Sequence, residues 1–258
     1  MHVVRRWSWI GVLVVGLVLF WAVQRALLTT QNPNLVPTLI LLGAAVMPVT
    51  FVAFIAARRL PYGVGGTTIG LTALVGGVVG VVAAGVLEYD VLHELGVVPM
   101  IAVGFIEEAA KLIVLVVLVI WLRPRRRADG LVLGVAAGAG FAVLETMGYA
   151  FVALIQSGGD LGALDDLLLL RGLLSPAAHM AWTGLSAAAL WIAADSGPGR
   201  SGVRFAAVFL VAVGLHAAWD SFNSIWAYVV IAALSLGLLT ITAHRLGERH
   251  QRAPAGPG

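Results

Sequence analysis

Long runs of apolar residues leave this chain few folds to choose from. Eight stretches, near Trp7 to Val23, Leu35 to Ala57, Val64 to Leu87, Val97 to Leu122, Gly130 to Ile155, Pro176 to Ala194, Val203 to Asp220 and Phe222 to Ala243, are predicted as spans. Each approaches the roughly 20 residues a helix needs to cross a hydrocarbon core of about 30 Å. Backbone polar groups in lipid must be satisfied within the segment, so such runs become helices. The expected fold is all-α, a polytopic transmembrane bundle of about eight helices. With 60% hydrophobic and 11% charged residues and a mean hydropathy of +0.98, the chain has too little polar surface for a soluble domain. It contains no cysteine, which excludes disulfides, thiolate metal ligands and a cysteine nucleophile.

The arginines set an orientation. Arg5 and Arg6, Arg58 and Arg59, the run from Arg123 to Arg127, Arg200 with Arg204, and Arg245, Arg249 and Arg252 fall on every second connection. Glu88, Asp90, Glu94, Asp160, Asp165 and Asp166 occupy connections between them. Basic residues accumulate on the cytoplasmic side, so both termini are predicted to be cytoplasmic. The same distribution explains the net charge of +3 as topology rather than a nucleic-acid surface. The first stretch reads as a retained signal anchor, because no small-x-small cleavage site follows it. Leu161 to Leu174, broken by Gly172, reads as an outer-surface helix or re-entrant piece, and the tail from Arg252 as disordered. The chain divides into helices 1–3 (1–96), a catalytic core of helices 4–7 (97–223), and a last helix with its tail (224–258).

Four of the predicted helices carry ionisable groups: Glu107, Glu108 and Lys111 on the fourth, Glu145 on the fifth, His179 on the sixth, and His216 with Asp220 on the seventh. Each charge at membrane depth costs about 2.5 to 3.5 kcal/mol on insertion scales, so the set is a burden on the order of 10 kcal/mol and argues for function. Ser175 and Pro176 read as N-cap and first turn of the sixth helix, Pro99 as the start of the fourth, and Asp129 as an N-cap of the fifth. Those starts put His179 about one turn below the outer surface and Glu107 and Glu108 roughly 12 to 14 Å down. All the groups then share the outer half of the membrane. Gly134, Gly138, Phe141 and Glu145 follow one helical stripe, His179, Thr183 and Ser186 another, and His216 and Asp220 a third, continued by Asn223. Small residues on a stripe let helices approach closely, which turns Glu145 into the bundle. Glu107 and Lys111 are four apart and can pair, while Glu108 is turned by about 100° and expected to face a water.

The residues Glu107-Glu108-Ala-Ala-Lys111, Phe141-Ala-Val-Leu-Glu145, the isolated His179 and His216-Ala-Ala-Trp-Asp220, in this order on consecutive helices, resemble the PrsW family of bacterial intramembrane proteases. The resemblance runs from about Pro99 to Asn223. It implies a multi-pass protein of the bacterial plasma membrane that cleaves membrane-anchored proteins, site-1 fashion, for example anti-sigma factors. The CAAX prenyl endopeptidases are distantly similar, but Glu145 stands where they carry histidine, Lys111 replaces a basic residue one position later, and Asp220 replaces asparagine. Prenyl-substrate processing is the weaker alternative.

Peptide hydrolysis needs an activated water, stabilisation of the oxyanion and an acid for the leaving amine. A glutamate held away from water keeps its proton more tightly, which suits a base that later returns it. Glu107 or Glu108 is the candidate base, and Glu145 completes the carboxylate cluster. His179 and His216 would position the water or the scissile carbonyl, with Asp220 orienting His216 and Lys111 in support. Two histidines and a carboxylate also make a workable zinc site, for which Glu145, His179 and His216 are the candidates. HEXXH is absent, the residues fit either route, and the glutamate route is preferred; the cofactor is zinc or none. The partners are membrane lipid and a membrane-anchored protein substrate, with no nucleic acid. A proton- or cation-coupled transporter is the competing class, but it needs polar groups through to the inner face, where these helices are apolar. His2, His93, His244 and His250 fall outside the eight stretches and are read as solvated.

Overall fold

A computed structural model describes residues 2–58, 60–122, 126–196 and 199–251, without the side chains of 2–5 and 249–251. Arg59, Arg123 and Arg125 of the orientation argument, and the tail from Arg252, lie outside the described residues. Within them all regular structure is helical: α1 (His2–Thr30), α2 (Val36–Ala57), α3 (Gly66–Leu95), α4 (Met100–Leu122), α5 (Arg127–Gln156), α6 (Leu161–Leu174), α7 (His179–Ser196), α8 (Arg200–Ser221) and α9 (Ile225–Gln251). Short 3-10 turns precede α2 and α7. All eight predicted stretches are helical, and α6 keeps its predicted bounds.

Six helices, α1, α2, α3, α5, α8 and α9, are long and apolar enough to cross a membrane. The other two predicted spans, α4 and α7, are the ones that carry Glu107, Glu108, Lys111 and His179. Several helices outrun their apolar stretches: α3 continues through Glu88 and Asp90 to Leu95, and α9 to Gln251. His93 and His244 therefore lie on helices, though exposed as expected.

The bundle is built around α5. Every residue from Ala128 to Ala139 is buried, the pattern of a helix enclosed on all sides. Glycine makes that possible. A Cβ on Gly140 would stand 1.8 Å from the Ala73 carbonyl oxygen of α3, and one on Gly134 would stand 2.6 Å from the Thr183 carbonyl oxygen of α7. The core at this level is Leu112, Leu115, Leu131, Leu133, Val135, Met180, Leu185 and Trp191. Outside, Val14, Val15, Val18, Leu74, Val82, Ile120, Trp121, Val203 and Leu210 are exposed, an apolar perimeter suited to lipid rather than water.

Two predicted helix starts are corrected. Asp129 does not cap α5, which begins at Arg127; its carboxylate accepts hydrogen bonds from the backbone N–H groups of Gly63 at 2.5 Å and Val64 at 3.3 Å, tying the loop before α3 to α5. Ser175 and Pro176 do not open α7. They form a 3-10 turn in which the Ser175 hydroxyl donates to the Arg171 carbonyl, a break follows at Ala178, and His179 is the first residue of the helix.

Candidate active site

Three residues of α4 organise the site. Lys111 is fully buried, and its Nζ lies 2.7 Å from Glu108 Oε1 and 3.3 Å from Glu107 Oε2, reaching back three and four residues along its own helix. The lysine thus holds both glutamates, and the expectation that Glu108 faces a water is not met: its side chain has no exposure, whereas that of Glu107 retains 10%. The same Nζ lies 2.8 Å from His179 Nδ1 and 4.2 Å from the centre of the Phe141 ring, joining α4 to α7 and α5.

His216 comes from α8. Its Nδ1 pairs with Glu108 Oε1 at 2.9 Å. Because that oxygen belongs to a carboxylate, which only accepts, Nδ1 carries a proton, and Nε2 is the nitrogen turned toward the remaining acidic groups. Nε2 points between Glu107 Oε2 at 3.4 Å and Asp220 Oδ2 at 3.3 Å. The ring stacks on Trp182, whose plane lies at 29° and whose centre is 4.9 Å away, and the Trp182 indole N–H donates to Ser235 Oγ of α9 at 2.9 Å.

Glu145 reaches inward from α5, as its stripe predicts, and its Oε2 lies 2.9 Å from His179 Nε2. A cation that the sequence did not single out meets the same oxygen: Arg171 of α6, with its NH2 group 2.8 Å away. Both are charge contacts whose N–H directions miss good hydrogen-bond alignment. Glu145, Arg171, His179 and Asp220 line a cavity of about 110 Å³ walled by Leu170, Leu174, Trp219 and Tyr228. That is room for about three waters or one medium side chain. All six predicted site residues and Lys111 therefore gather at one end of the bundle; Thr183 and Ser186 are buried below them without hydrogen-bond partners among the described residues. Arg171, Trp182 and Ser235 are the participants missed. The only sequence signal for Arg171 is a lone charge in a leucine run.

Residues 63–243 match the PrsW family of intramembrane metalloproteases. The chain belongs to this family. The match takes in every residue of the site and leaves α1 and α2 outside it. No curated protein and no solved structure matches the chain. Membership makes the chain a hydrolase, an intramembrane protease in a multi-pass helical membrane protein acting on protein substrates.

The family description raises a metal, and the donor set fits one. One ligand atom from each of Glu107, His179 and His216 lies within 4.8 Å of the others, all three buried. The 3.4 Å between His216 Nε2 and Glu107 Oε2 is close to the edge of a tetrahedron with metal bonds of about 2.1 Å. Four carboxylates, Glu107, Glu108, Glu145 and Asp220, surround two permanent cations, Lys111 and Arg171, an excess of negative charge that a further cation offsets. The trio differs from the predicted candidates in one member: Glu107 converges with the histidines where Glu145 was expected.

Proposed function

We propose that this protein hydrolyses peptide bonds of membrane-anchored proteins near the outer membrane face, by water attack assisted by a metal ion, with zinc as the best match to the donors. The convergence of Glu107, His179 and His216 carries this reading. A zinc ion held by Glu107, His179 and His216 would supply a Lewis acid that makes water there easier to deprotonate near neutral pH. The chain's own groups divide the remaining work. Glu108 holds the His216 ring through Nδ1, and Lys111 compensates its charge. Glu145, at the cavity wall, is the base that accepts the proton of the attacking water and returns it to the leaving amine. Asp220, on the same wall with 31% of its side chain exposed, steadies His216 and meets the incoming substrate. Admission of the metal requires the 2.8 Å contact of Lys111 with His179 to open, while the shorter pair with Glu108 keeps the lysine in place. The burial of Glu108 and the position of Glu107 beside His216 support the metal route over the glutamate-only one.

The reading has α4 and α7 completing eight spans, both termini cytoplasmic and the site facing outward in a bacterial plasma membrane. Residues 97–223 form the catalytic core between the first three helices and the last. Site-1 cleavage, as of anti-sigma factors, is the corresponding role. The packed layer of Leu115, Leu131, Leu133, Val135 and Trp191 below the site favours a pit over a transport path.

The test is proteomics of membrane and shed fractions from cells making wild-type, Glu107→Gln or His216→Ala protein, with metal analysis of each purified form. Wild type should release outer segments of membrane proteins and hold one metal per chain. Both variants should lower release by about 10²-fold or more, the scale of losing a principal transition-state stabiliser. Equal release from all three, at equal protein levels, would remove the assignment.

A further inference from the structure

α6 is too short to cross a bilayer, yet it is firmly set. Asp160 caps it by accepting from the Gly162 N–H at 2.8 Å, and Gln24 of α1 donates to Asp165 at 2.5 Å. Leu164 and Leu168 are buried with Leu27, Leu39, Ile40, Ala44 and Ala150. Leu168 approaches α2 so closely that a Cβ on Gly43 would stand 2.8 Å from its Cδ1. The helix thereby carries its one basic residue, Arg171, to a fixed point on α5.

There the guanidinium meets three α5 residues at once. Its NH2 group lies 2.8 Å from Glu145 Oε2, Nε donates to Thr146 Oγ1 at 3.2 Å, and its carbon lies 4.2 Å from the centre of the Tyr149 ring. The Glu145 oxygen it holds is the one that faces His179 Nε2 at 2.9 Å. An imidazole turned to a carboxylate through one nitrogen presents the other, here Nδ1, to a ligand, and such outer partners fix the ring and raise its basicity.

We propose that Arg171 is a positioning residue of the metal centre: through Glu145 it fixes the His179 ring, making α6 part of the site it borders. This rests on the metal-assisted reading above. A purely structural arginine would pin α6 to α5 and leave metal affinity alone, whereas an outer-shell arginine sets that affinity. The Arg171→Met change should weaken the metal by about 10- to 100-fold, the range for outer-shell losses. Arg171→Lys should recover part of this, since an ammonium keeps the charge beside Glu145 but not the planar, directed N–H geometry of the guanidinium. Thr146→Val removes that second contact, leaves the Glu145 pair, and should bind metal nearly as wild type does.

The experiment is a titration of full-length apoprotein in detergent with cobalt(II), followed by visible absorption, with thermal unfolding as the control for folding. Glu145→Gln should weaken cobalt binding as much as Arg171→Met, and the double variant should be no weaker than either alone, because one acts through the other. Wild-type affinity in Arg171→Met, or additive losses in the double variant, overturns the proposal; if Arg171→Met does not fold, Arg171→Lys and Glu145→Gln supply the same comparison. Cobalt uptake that disappears in His216→Ala but keeps wild-type affinity in Arg171→Met rejects the role of Arg171 while leaving the metal reading intact. Absence of uptake by wild type rejects both.

Discussion

The two ends of the helix bundle both hold charges, and they use them differently. At the end near the start of α5, Asp129 accepts from the backbone of Gly63 and Val64, Arg126 donates to the Tyr62 carbonyl at 3.0 Å, and Arg127 pairs with Asp195 at the surface. Each charge there ends on backbone or beside solvent. At the opposite end Lys111, Glu107, Glu108, His179, His216, Glu145 and Arg171 form one chain of charge contacts, side chain to side chain, with Lys111 and Glu108 wholly buried. Backbone partners fix a loop, whereas a cluster of side chains sealed from water keeps its capacity to bind a cation or move a proton. One end is an anchor; the other, on the proposed function, is the reaction centre.

The sharpest way to break this comparison is to remove the cation at the middle of the buried cluster. Lys111→Met leaves Glu108 buried and uncompensated, and breaking a buried pair in this way costs about 3 to 5 kcal/mol. A large fall in unfolding temperature in detergent is expected, together with loss of cleavage. Pairing the change with Glu108→Leu, which removes both charges, should return much of the stability but none of the activity. A Lys111→Met protein that melts with wild type would mean that the cluster is solvated and the contrast between the ends is void.

A pair of glycines on the same face of α5 tests the two ends with one chemical change. A Cβ on Gly138 would stand 2.6 Å from the His179 carbonyl oxygen, and one on Gly130 equally close to that of Ala187. Alanine at either position forces α7 away and should destabilise by about 1 to 3 kcal/mol, the range for overpacked cores. Only Gly138→Ala also displaces His179, so it alone should lower cleavage per folded molecule and weaken metal binding. Equal activity losses in the two variants would show that cleavage follows overall packing rather than the position of that histidine.

The sequence was most informative where a local pattern decides the structure. The apolar runs predicted the helices because lipid leaves the backbone no other solution, and the Gly134, Gly138 and Glu145 stripe identified the inward face of α5 because helical phase is fixed within one element. What depended on two elements was harder to read. Glu107 joins Glu145 beside the histidines because α4 packs against α8, a placement that no spacing within α4 encodes. Arg171 is 26 residues from Glu145, on a separate helix whose placement depends on Leu164, Leu168 and Gly43 of α2. Asp129 has the composition of a helix cap, and its role changed because the loop at Gly63 had N–H groups to satisfy. Polar continuations such as Glu88 to Glu94 hid the true end of α3 because lipid-based counting stops where helix formation does not.

The smallest effects are expected at the anchor end, and they divide by burial. Asp129 is buried and receives two backbone N–H groups, so Asp129→Ala strands donors that water reaches poorly; about 1 to 3 kcal/mol of stability should go, with cleavage per folded molecule unchanged. Arg127 and Asp195 are 40% and 37% exposed, and a pair so open to solvent contributes about 0 to 1 kcal/mol, further screened by salt. Arg127→Ala should therefore leave the unfolding temperature nearly unmoved and the metal affinity unchanged, in low salt and high. Its interest lies in topology, because Arg127 belongs to the basic run from which the orientation is predicted. If Arg127→Ala alone altered metal affinity, the anchor end would be coupled through α5 to the reaction centre, and the division of labour between the two ends would have to be given up.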